Sequence, residues 1–391
     1  MSKRAIVIIP TYNERENIGR TIETLLPIFD DITDWSMGIL IVDDTSPDKT
    51  YEIVREYEKK DKRVNLFLNA KKSGLGGAYI KGMTHAFGEL GADVVFEFDA
   101  DLSHDPTKIP DFLREIDAGA DMVLGTRYKL GGSLPPDWGL HRKFLSVGGN
   151  LLIMTVLGDL RYRDWTSGYR AVSKQVFESV SPKLKGDRFT GYTFQIGSLY
   201  YALQAGFKVV ESVPYAFKDR TIGESKIGPE YIKNTLLFVF RMRLEALAQN
   251  RVIKFALVGG MGALVQLASL QLFRQLLGGE QWYELAVFLS IETAIVSNFI
   301  LNNIWTFKDK KLEPAQVPKK FLAFNLSSFG SIVIQMVLAT AGKAWIGIIP
   351  LFTVPFTAIV IDSGLVFVVA GIGLGMVWNY FAYTRFIWKT A

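Results

Sequence analysis

The 391-residue sequence predicts an α/β domain built on a mostly parallel sheet, followed by an all-α membrane domain of four helices. Three observations predict it. Up to about residue 228, short apolar runs alternate with helical stretches, the order expected of strands joined by right-handed crossovers. Beyond residue 251 the chain becomes apolar over stretches long enough to cross a bilayer. The charge is also uneven: from Arg251 onward there are 11 Lys/Arg against 6 Asp/Glu, while the preceding residues carry 33 of each, so the net +5 belongs to the apolar part.

That placement argues against nucleic acid, which calls for a basic patch on the folded domain. The absence of cysteine excludes disulfides and thiolate metal sites. Residues 1–5 enter a short apolar strand without a signal-peptide apolar core, so the first domain is expected to stay cytoplasmic.

Residues 5–9 form the first expected strand, and Pro10-Thr11-Tyr12-Asn13-Glu14 leads from it into a helix near 18–26. A second strand, 38–42, ends in Asp43-Asp44-Thr45-Ser46-Pro47-Asp48. A helix over 50–60, a strand over 64–68 and a glycine-opened helix through residue 87 follow. A dinucleotide-binding oxidoreductase would place Gly-x-Gly-x-x-Gly after the first strand, and a P-loop would add Lys-Ser/Thr to Gly74–Gly77; neither is present.

Val94-Val95-Phe96-Glu97-Phe98 then ends in Asp99-Ala100-Asp101-Leu102-Ser103-His104-Asp105-Pro106. Ligands of open α/β sheets bind outside the carboxyl ends of the strands, where Asp99 and Asp101 would sit. In extended chain, residues two apart point the same way, so the two carboxylates can share one oxygen-ligated cation, Mg2+ or Mn2+, holding a diphosphate. Acidic residues after a strand also serve as ordinary turn formers. A helix near 107–117, a strand over 121–125 running into Thr126-Arg127-Tyr128, a Gly/Pro-rich loop and a small-residue helix from 145 come next. A polar cluster (161–170) and a basic loop (217–226) complete the domain.

Residues 229–250 read as an amphipathic helix, lying either in the lipid headgroup plane or buried between domains. Four spans are expected at about 252–277, 285–307, 321–345 and 351–386, each longer than the roughly 20 residues a bilayer requires. Lys308, Lys310, Lys311, Lys319 and Lys320 lie between the second and third, whereas loops 278–284 and 346–350 hold no Lys or Arg. The positive-inside rule therefore puts the first domain and both chain ends in the cytoplasm. Within the spans, Glu292 and Asp362 should face the bundle, with Asn298, Asn302 and Asn303 bridging helices or, less favoured, lining a transport path.

Taken together, Pro-Thr-Tyr-Asn-Glu, Asp-Asp-x-Ser-Pro-Asp, Asp-Ala-Asp-Leu-Ser-His, Gly-Thr-Arg-Tyr, Arg142-Lys143, Ser-Gly-Tyr-Arg and Asp-Arg-x-x-Gly-Glu-Ser-Lys resemble the family-2 glycosyltransferases that load a sugar onto a polyprenyl phosphate, the dolichol phosphate mannose synthases above all. The last four spans, with Asn-Asn-x-Trp-Thr-Phe, resemble a GtrA-like membrane domain. The resemblance implies a GT-A fold, with a Rossmann-like sheet. It also implies inverting, metal-dependent transfer of mannose from GDP-mannose to dolichyl or another polyprenyl monophosphate. It further implies that Pro10, Tyr12, Glu14, Val42, Asp44, Asp99, Ala100, Asp101, Arg220 and Lys226 serve the nucleotide sugar. Asp99 and Asp101, with Ser103 as third ligand, would hold Mg2+ or Mn2+; Arg127, Arg142 and Ser146 would receive the lipid phosphate; Asp99, Asp101, Arg127 and Arg220 would be catalytic. Three departures stand out: Thr45 replaces the usual glycine, Gly197 stands near Phe194-Gln195 where the family tends to have an acid, and Ser103 replaces the glutamine of some members. Another hexose donor, or a membrane half that transports lipid-linked sugar or acts as a scaffold, are the alternatives. A processive polysaccharide synthase is disfavoured because no Gln-x-x-Arg-Trp occurs.

Overall fold

The computed structural model describes residues 3–186, 188–219, 229–306, 314–353 and 360–382. The chain divides into two compact units, residues 1–244 and 245–391.

The first unit runs β1 (Lys3–Thr11), α1 (Arg15–Asp30), β2 (Trp35–Asp43), α2 (Thr50–Lys60), β3 (Val64–Leu68), α3 (Gly74–Gly88), β4 (Val94–Glu97), α4 (Ile109–Asp117) and β5 (Met122–Thr126). It continues through α5 (Leu140–Leu157), β6 (Arg170–Ser173), α6 (Lys174–Val180), α7 (Tyr192–Gln204) and β7 (Val209–Pro214) into α8 (Pro229–Gln249). The seven strands take the order β3-β2-β1-β4-β6-β5-β7. All neighbours are parallel except β6, which runs antiparallel to both β4 and β5.

Side-chain alternation explains why this sheet is buried on both faces. Ile6, Ile8, Leu40, Val42, Val95 and Leu124 enter one core, while Ala5, Val7, Ile9, Ile39, Ile41 and Phe96 enter the other. Helices α3 and α7 cover the first face, and α1 and α4 the second. The chain leaves β1 toward β2 on one side and reaches β4 on the other, so the topological switch lies between β1 and β4. That is where a crevice opens in such sheets. The headgroup-or-buried alternative for α8 has a specific outcome in its middle: Phe238, Val239 and Met242 are buried in the first core, while Leu237, Phe240 and Leu244 are exposed.

The second unit contains α9 (Arg251–Leu277), α10 (Tyr283–Leu301), α11 (Val317–Ile346), a two-stranded ribbon β8 (Pro350–Thr353) and β9 (Val360–Asp362), and α12 (Ser363–Ala382). Among the described residues, three helices are long and apolar enough to cross a membrane, within 256–277, 280–305 and 314–346. The expected fourth span, 351–386, needs correction. Its described residues before Ser363, 351–353 and 360–362, belong to the antiparallel ribbon, and α12 starts at Ser363. Pro350 cannot continue a helix, and Phe352, Thr353 and Val360 suit extended chain. Asp362 then caps α12 by accepting the Leu365 N–H at 2.9 Å. The 20 residues of α12 still span about 30 Å.

Several ionisable groups of this unit have polar partners. Arg274 meets Asp362 at 2.6 Å, Lys343 meets Glu284 at 2.8 Å, and Asn325 donates to Glu292 at 2.9 Å. Gln266 of α9 donates to Gln335 of α11 at 2.5 Å and bridges those two helices.

Candidate active site

Register brings the proposed nucleotide residues together. Pro10 stands opposite Val42 in the β1–β2 ladder, and Thr11 opposite Asp43, so Tyr12 and Asp44 leave adjacent strand ends. Asp44 is buried and accepts hydrogen bonds from Asn69 Nδ2 at 2.7 Å and the Ser73 N–H at 2.9 Å. Asp43 beside it accepts from Thr11 Oγ1, Ser46 N–H and Ser46 Oγ, which fixes the turn. Thr45 has a φ of 53°, the left-handed region that favours glycine, and its hydroxyl donates to the Asn69 carbonyl at 2.6 Å. That bond accounts for the toleration of threonine. Lys72 Nζ lies 3.4 Å from the centre of the Tyr12 ring. Glu14 accepts from Asn17 Nδ2 and ties its own N–H to Thr50 Oγ1.

Asp99 and Asp101 emerge from β4 at the switch point. Both are partly exposed, whereas Ala100 between them is buried and anchored by Thr21 Oγ1, which donates to its carbonyl at 2.6 Å. Leu102 turns the loop at a φ of 56°. Beneath it, His104 is buried and accepts the Asp99 N–H on Nδ1 at 3.2 Å. Burial, helped by the Arg127 charge and opposed by Asp101, pushes the His104 pKa down to about 4, so the ring is neutral at pH 7. With Nδ1 accepting, the proton belongs on Nε2, 3.6 Å from Asp99 Oδ2. Tyr169 stacks on this imidazole with centroids 4.9 Å apart and planes 9° apart, and its hydroxyl donates to the Asp105 carbonyl at 2.9 Å. The polar cluster read in sequence therefore props the acidic loop.

The donor set fits a divalent cation. Magnesium sites commonly use one or two carboxylates and complete their shell with substrate phosphates and water. Ser103 Oγ is buried without a hydrogen-bond partner among the described residues, an oxygen left available next to the pair.

Arg127 leaves β5 and is almost fully buried. Its Nε and Nη2 bind Asp164 at 2.8 and 2.6 Å, its backbone N–H binds the same carboxylate at 3.1 Å, and Nη2 also donates to Thr166 Oγ1. Burial alone would lower the Arg127 pKa; the Asp164 carboxylate outweighs it and holds the guanidinium charged. Tyr128 and Ser146 share a hydrogen bond of 2.6 Å, and Asn150 Nδ2 reaches both Tyr128 and Thr166. Arg127 and Ser146 thus belong to one network. Arg142 sits one turn earlier on α5, half exposed, paired with Asp219 at 2.8 Å and lying 3.9 Å above the Trp138 ring. Arg220 and Lys226 lie outside the described residues.

Sequence reading missed Asp164, Asn150 and Tyr169 as supports; their partners are 37, 22 and 64 residues away in the chain, and no local pattern shows them. It also missed the exposed stripe of α5. Leu140, Phe144, Val147 and Leu151, at i, i+4, i+7 and i+11, are 85, 76, 50 and 58 % exposed, beside His141, Arg142 and Lys143. That signal was available in the spacing.

With the geometry in place, comparison with known proteins is informative. Residues 6–180 match the family "Glycosyl transferase family 2", and residues 254–388 match "GtrA/DPMS, transmembrane domain". The chain is 33% identical over 333 residues to a dolichol-phosphate mannosyltransferase of Pyrococcus furiosus, covering 85% of this chain and 88% of that one. It is 37% identical over 243 residues to a polyprenol monophosphomannose synthase of Mycolicibacterium smegmatis, covering 61% and 86%. Among solved structures it resembles glucosyl-3-phosphoglycerate synthase from Mycobacterium tuberculosis at 17% identity, covering 62% and 80%, with a TM-score of 0.46. The chain belongs to glycosyl transferase family 2, a glycosyltransferase of GT-A fold related to the dolichol- and polyprenol-phosphate mannosyltransferases and continued by a GtrA/DPMS transmembrane domain.

Proposed function

We propose that this enzyme transfers mannose from GDP-mannose to dolichyl or another polyprenyl monophosphate, with inversion, at the cytoplasmic face of the membrane in which it is anchored. The observation that carries the reading is the pair Asp99 and Asp101 at the β1–β4 switch point, on a loop held by Ala100, His104 and Tyr169. The mannosyltransferase relatives support the choice of sugar and of lipid class.

Asp99 and Asp101, with Ser103 as a third oxygen, would hold Mg2+ or Mn2+, whose charge would stabilise the departing diphosphate. Pro10, Tyr12, Glu14, Val42 and Asp44 would line the nucleotide pocket, and Arg220 and Lys226 would approach its phosphates. The acceptor phosphate has a second pKa of about 6 and is largely dianionic at neutral pH, so no general base is required. The task left to the protein is to aim an anion. Arg142, half exposed and held by one carboxylate, can exchange Asp219 for the incoming phosphate. Arg127, already forked onto Asp164, would present its remaining edge and, through the Tyr128–Ser146–Asn150 network, fix the start of α5. A single in-line displacement on an α-linked donor gives a β-linked product.

A polyprenyl tail leaves the bilayer at a cost of roughly 0.8 kcal/mol per CH2, which explains why the catalytic unit carries membrane helices. The lysines of segment 308–320 support a cytoplasmic side for that loop and, with it, for the catalytic unit. The deciding experiment incubates full-length protein with polyprenyl phosphate and, separately, GDP-mannose, UDP-glucose and UDP-GlcNAc, with Mn2+, with Mg2+ and with EDTA. Lipid-linked mannose from GDP-mannose alone, lost in EDTA and in Asp101→Ala, is expected. Product from another donor instead, or full turnover in EDTA, overturns the reading.

A further inference from the structure

The hydrogen bonds around Asn150 on α5 run in one direction, and a backbone group sets it. Asn150 is buried and takes the Trp165 N–H on its Oδ1 at 2.8 Å. A backbone N–H can only donate, so the carboxamide has one orientation and Nδ2 is the atom turned toward the neighbouring oxygens. Nδ2 lies 3.0 Å from the Ser146 carbonyl and 3.2 Å from both Tyr128 Oη and Thr166 Oγ1. Each of these oxygens accepts there, because an amide NH2 is a donor only. Thr166 Oγ1 accepts from Arg127 Nη2 as well, at 2.9 Å.

Tyr128 must therefore give its own proton to another atom. Burial pushes its phenol up against the opposing pull of the Arg127 charge, so the hydroxyl is intact at neutral pH. Among the described residues, its other hydrogen-bond partner is Ser146 Oγ, at 2.6 Å. A phenol is the stronger acid of the two hydroxyls, so Tyr128 donates and Ser146 accepts. Ser146 Oγ has no further hydrogen-bond partner among the described residues. A helical serine otherwise turns its proton back to the carbonyl four residues earlier. Ser146 does not, and its proton is left for a ligand. It is half-buried and stands four residues after Arg142, on the same helical face, where one anion can meet both the hydroxyl and the guanidinium.

We propose, on the reading that Ser146 receives the lipid phosphate, that Tyr128 and Asn150 are positioning residues for the acceptor: they fix the Ser146 hydroxyl as a donor aimed at a phosphate oxygen. The test measures KM and kcat of the full-length protein in vesicles at varied polyprenyl phosphate and saturating GDP-mannose, with GDP affinity as a check on the fold. The variants are Ser146→Ala, Tyr128→Phe and the two combined. Ser146→Ala should raise the KM for lipid phosphate about tenfold, the effect of losing one hydrogen bond to a charged group. Tyr128→Phe should raise it by about threefold to tenfold, with kcat and GDP affinity unchanged. In the Ser146→Ala background it should add less than about twofold, because the hydroxyl it directs is gone. The same factor in both backgrounds, or GDP affinity lost alongside, would overturn the proposal. Asn150→Asp gives an independent check: a carboxylate accepts from Tyr128, so Ser146 turns its proton inward and the KM should rise as in Ser146→Ala. A wild-type KM there would overturn the assigned direction. An unchanged KM in Ser146→Ala would remove Ser146 from the phosphate, and no lipid-linked product from the wild type would remove the acceptor reading itself; either outcome also overturns the role given to Tyr128.

Discussion

Asp164 grips one edge of the Arg127 guanidinium, Nε at 2.8 Å and Nη2 at 2.6 Å, with the carboxylate wholly buried and the arginine nearly so. The pair joins the exit of β5 to the loop that Glu211 holds through the Arg163 and Asp164 N–H groups. Removing one partner strands a charge in the interior. Asp164→Ala should destabilise the catalytic unit by about 3–5 kcal/mol, read from the denaturant midpoint of its fluorescence transition. A change below about 1 kcal/mol would mean that water reaches Arg127.

Tyr169 stacks on His104, and His104 holds the Asp99 backbone, so the aromatic face acts on the acidic loop from two residues away. Tyr169→Leu keeps an apolar side chain but loses the flat face and the hydroxyl bond to Asp105. The expected result is a roughly 10-fold rise in the Mn2+ concentration for half-maximal activity, the usual size of a supporting-residue effect. The KM for lipid phosphate, measured at saturating metal, should stay put. Equal change in both would place the tyrosine in general stability instead.

Glu97 supplies a pH signature. It is fully buried, and burial pushes its carboxyl up to about 7 against the pull of the Arg170 charge. A folded-state pKa raised above the unfolded value favours the protonated form. Stability from this group is therefore complete below about pH 4.5 and lost as pH rises toward 7, by roughly 3 kcal/mol in all. Thermal midpoints between pH 5 and 7.5 should fall for the wild type relative to Glu97→Gln. Parallel profiles would mean that Glu97 is already ionised beside Arg170.

What the sequence made legible was local and periodic. The strands near 5–9, 38–42 and 64–68 could be read from runs of β-branched and apolar residues, and the acidic loop from its break after Phe98. The four-residue β6 could not, because it opens on Arg170, a charge that a strand pattern rejects. Its guanidinium is satisfied only in three dimensions, by the carbonyls of Ser167, Gln195 and Trp165. The fourth span was over-extended for the opposite reason: residues 351–353 and 360–361 are apolar enough for lipid yet pair in a ribbon, and hydropathy does not distinguish the two. Thr45 shows a third kind of limit, since its left-handed backbone depends on an acceptor at Asn69, 24 residues on.

The stripe on α5 carries the last prediction. Leu140, Phe144, Val147 and Leu151 face solvent on the helix that also carries Arg142 and Ser146, and three polar or basic residues adjoin its first turn. Apolar side chains on one helical face with basic neighbours are the pattern of a segment resting in a membrane interface, where the apolar surface is removed from water and the cations meet headgroups. A lipid phosphate would then reach Arg142 without its chain leaving the bilayer. Phe144→Asp combined with Leu151→Asp should raise the KM for a long-chain polyprenyl phosphate in vesicles by about 10-fold or more. GDP-mannose affinity should be unchanged, because Tyr12 and Asp44 lie on other elements. Turnover of a short, micelle-free acceptor such as farnesyl phosphate should also be preserved, since it needs no interface. Were the short acceptor to fail as badly as the long one, the stripe would be part of the phosphate site itself and not a contact with lipid.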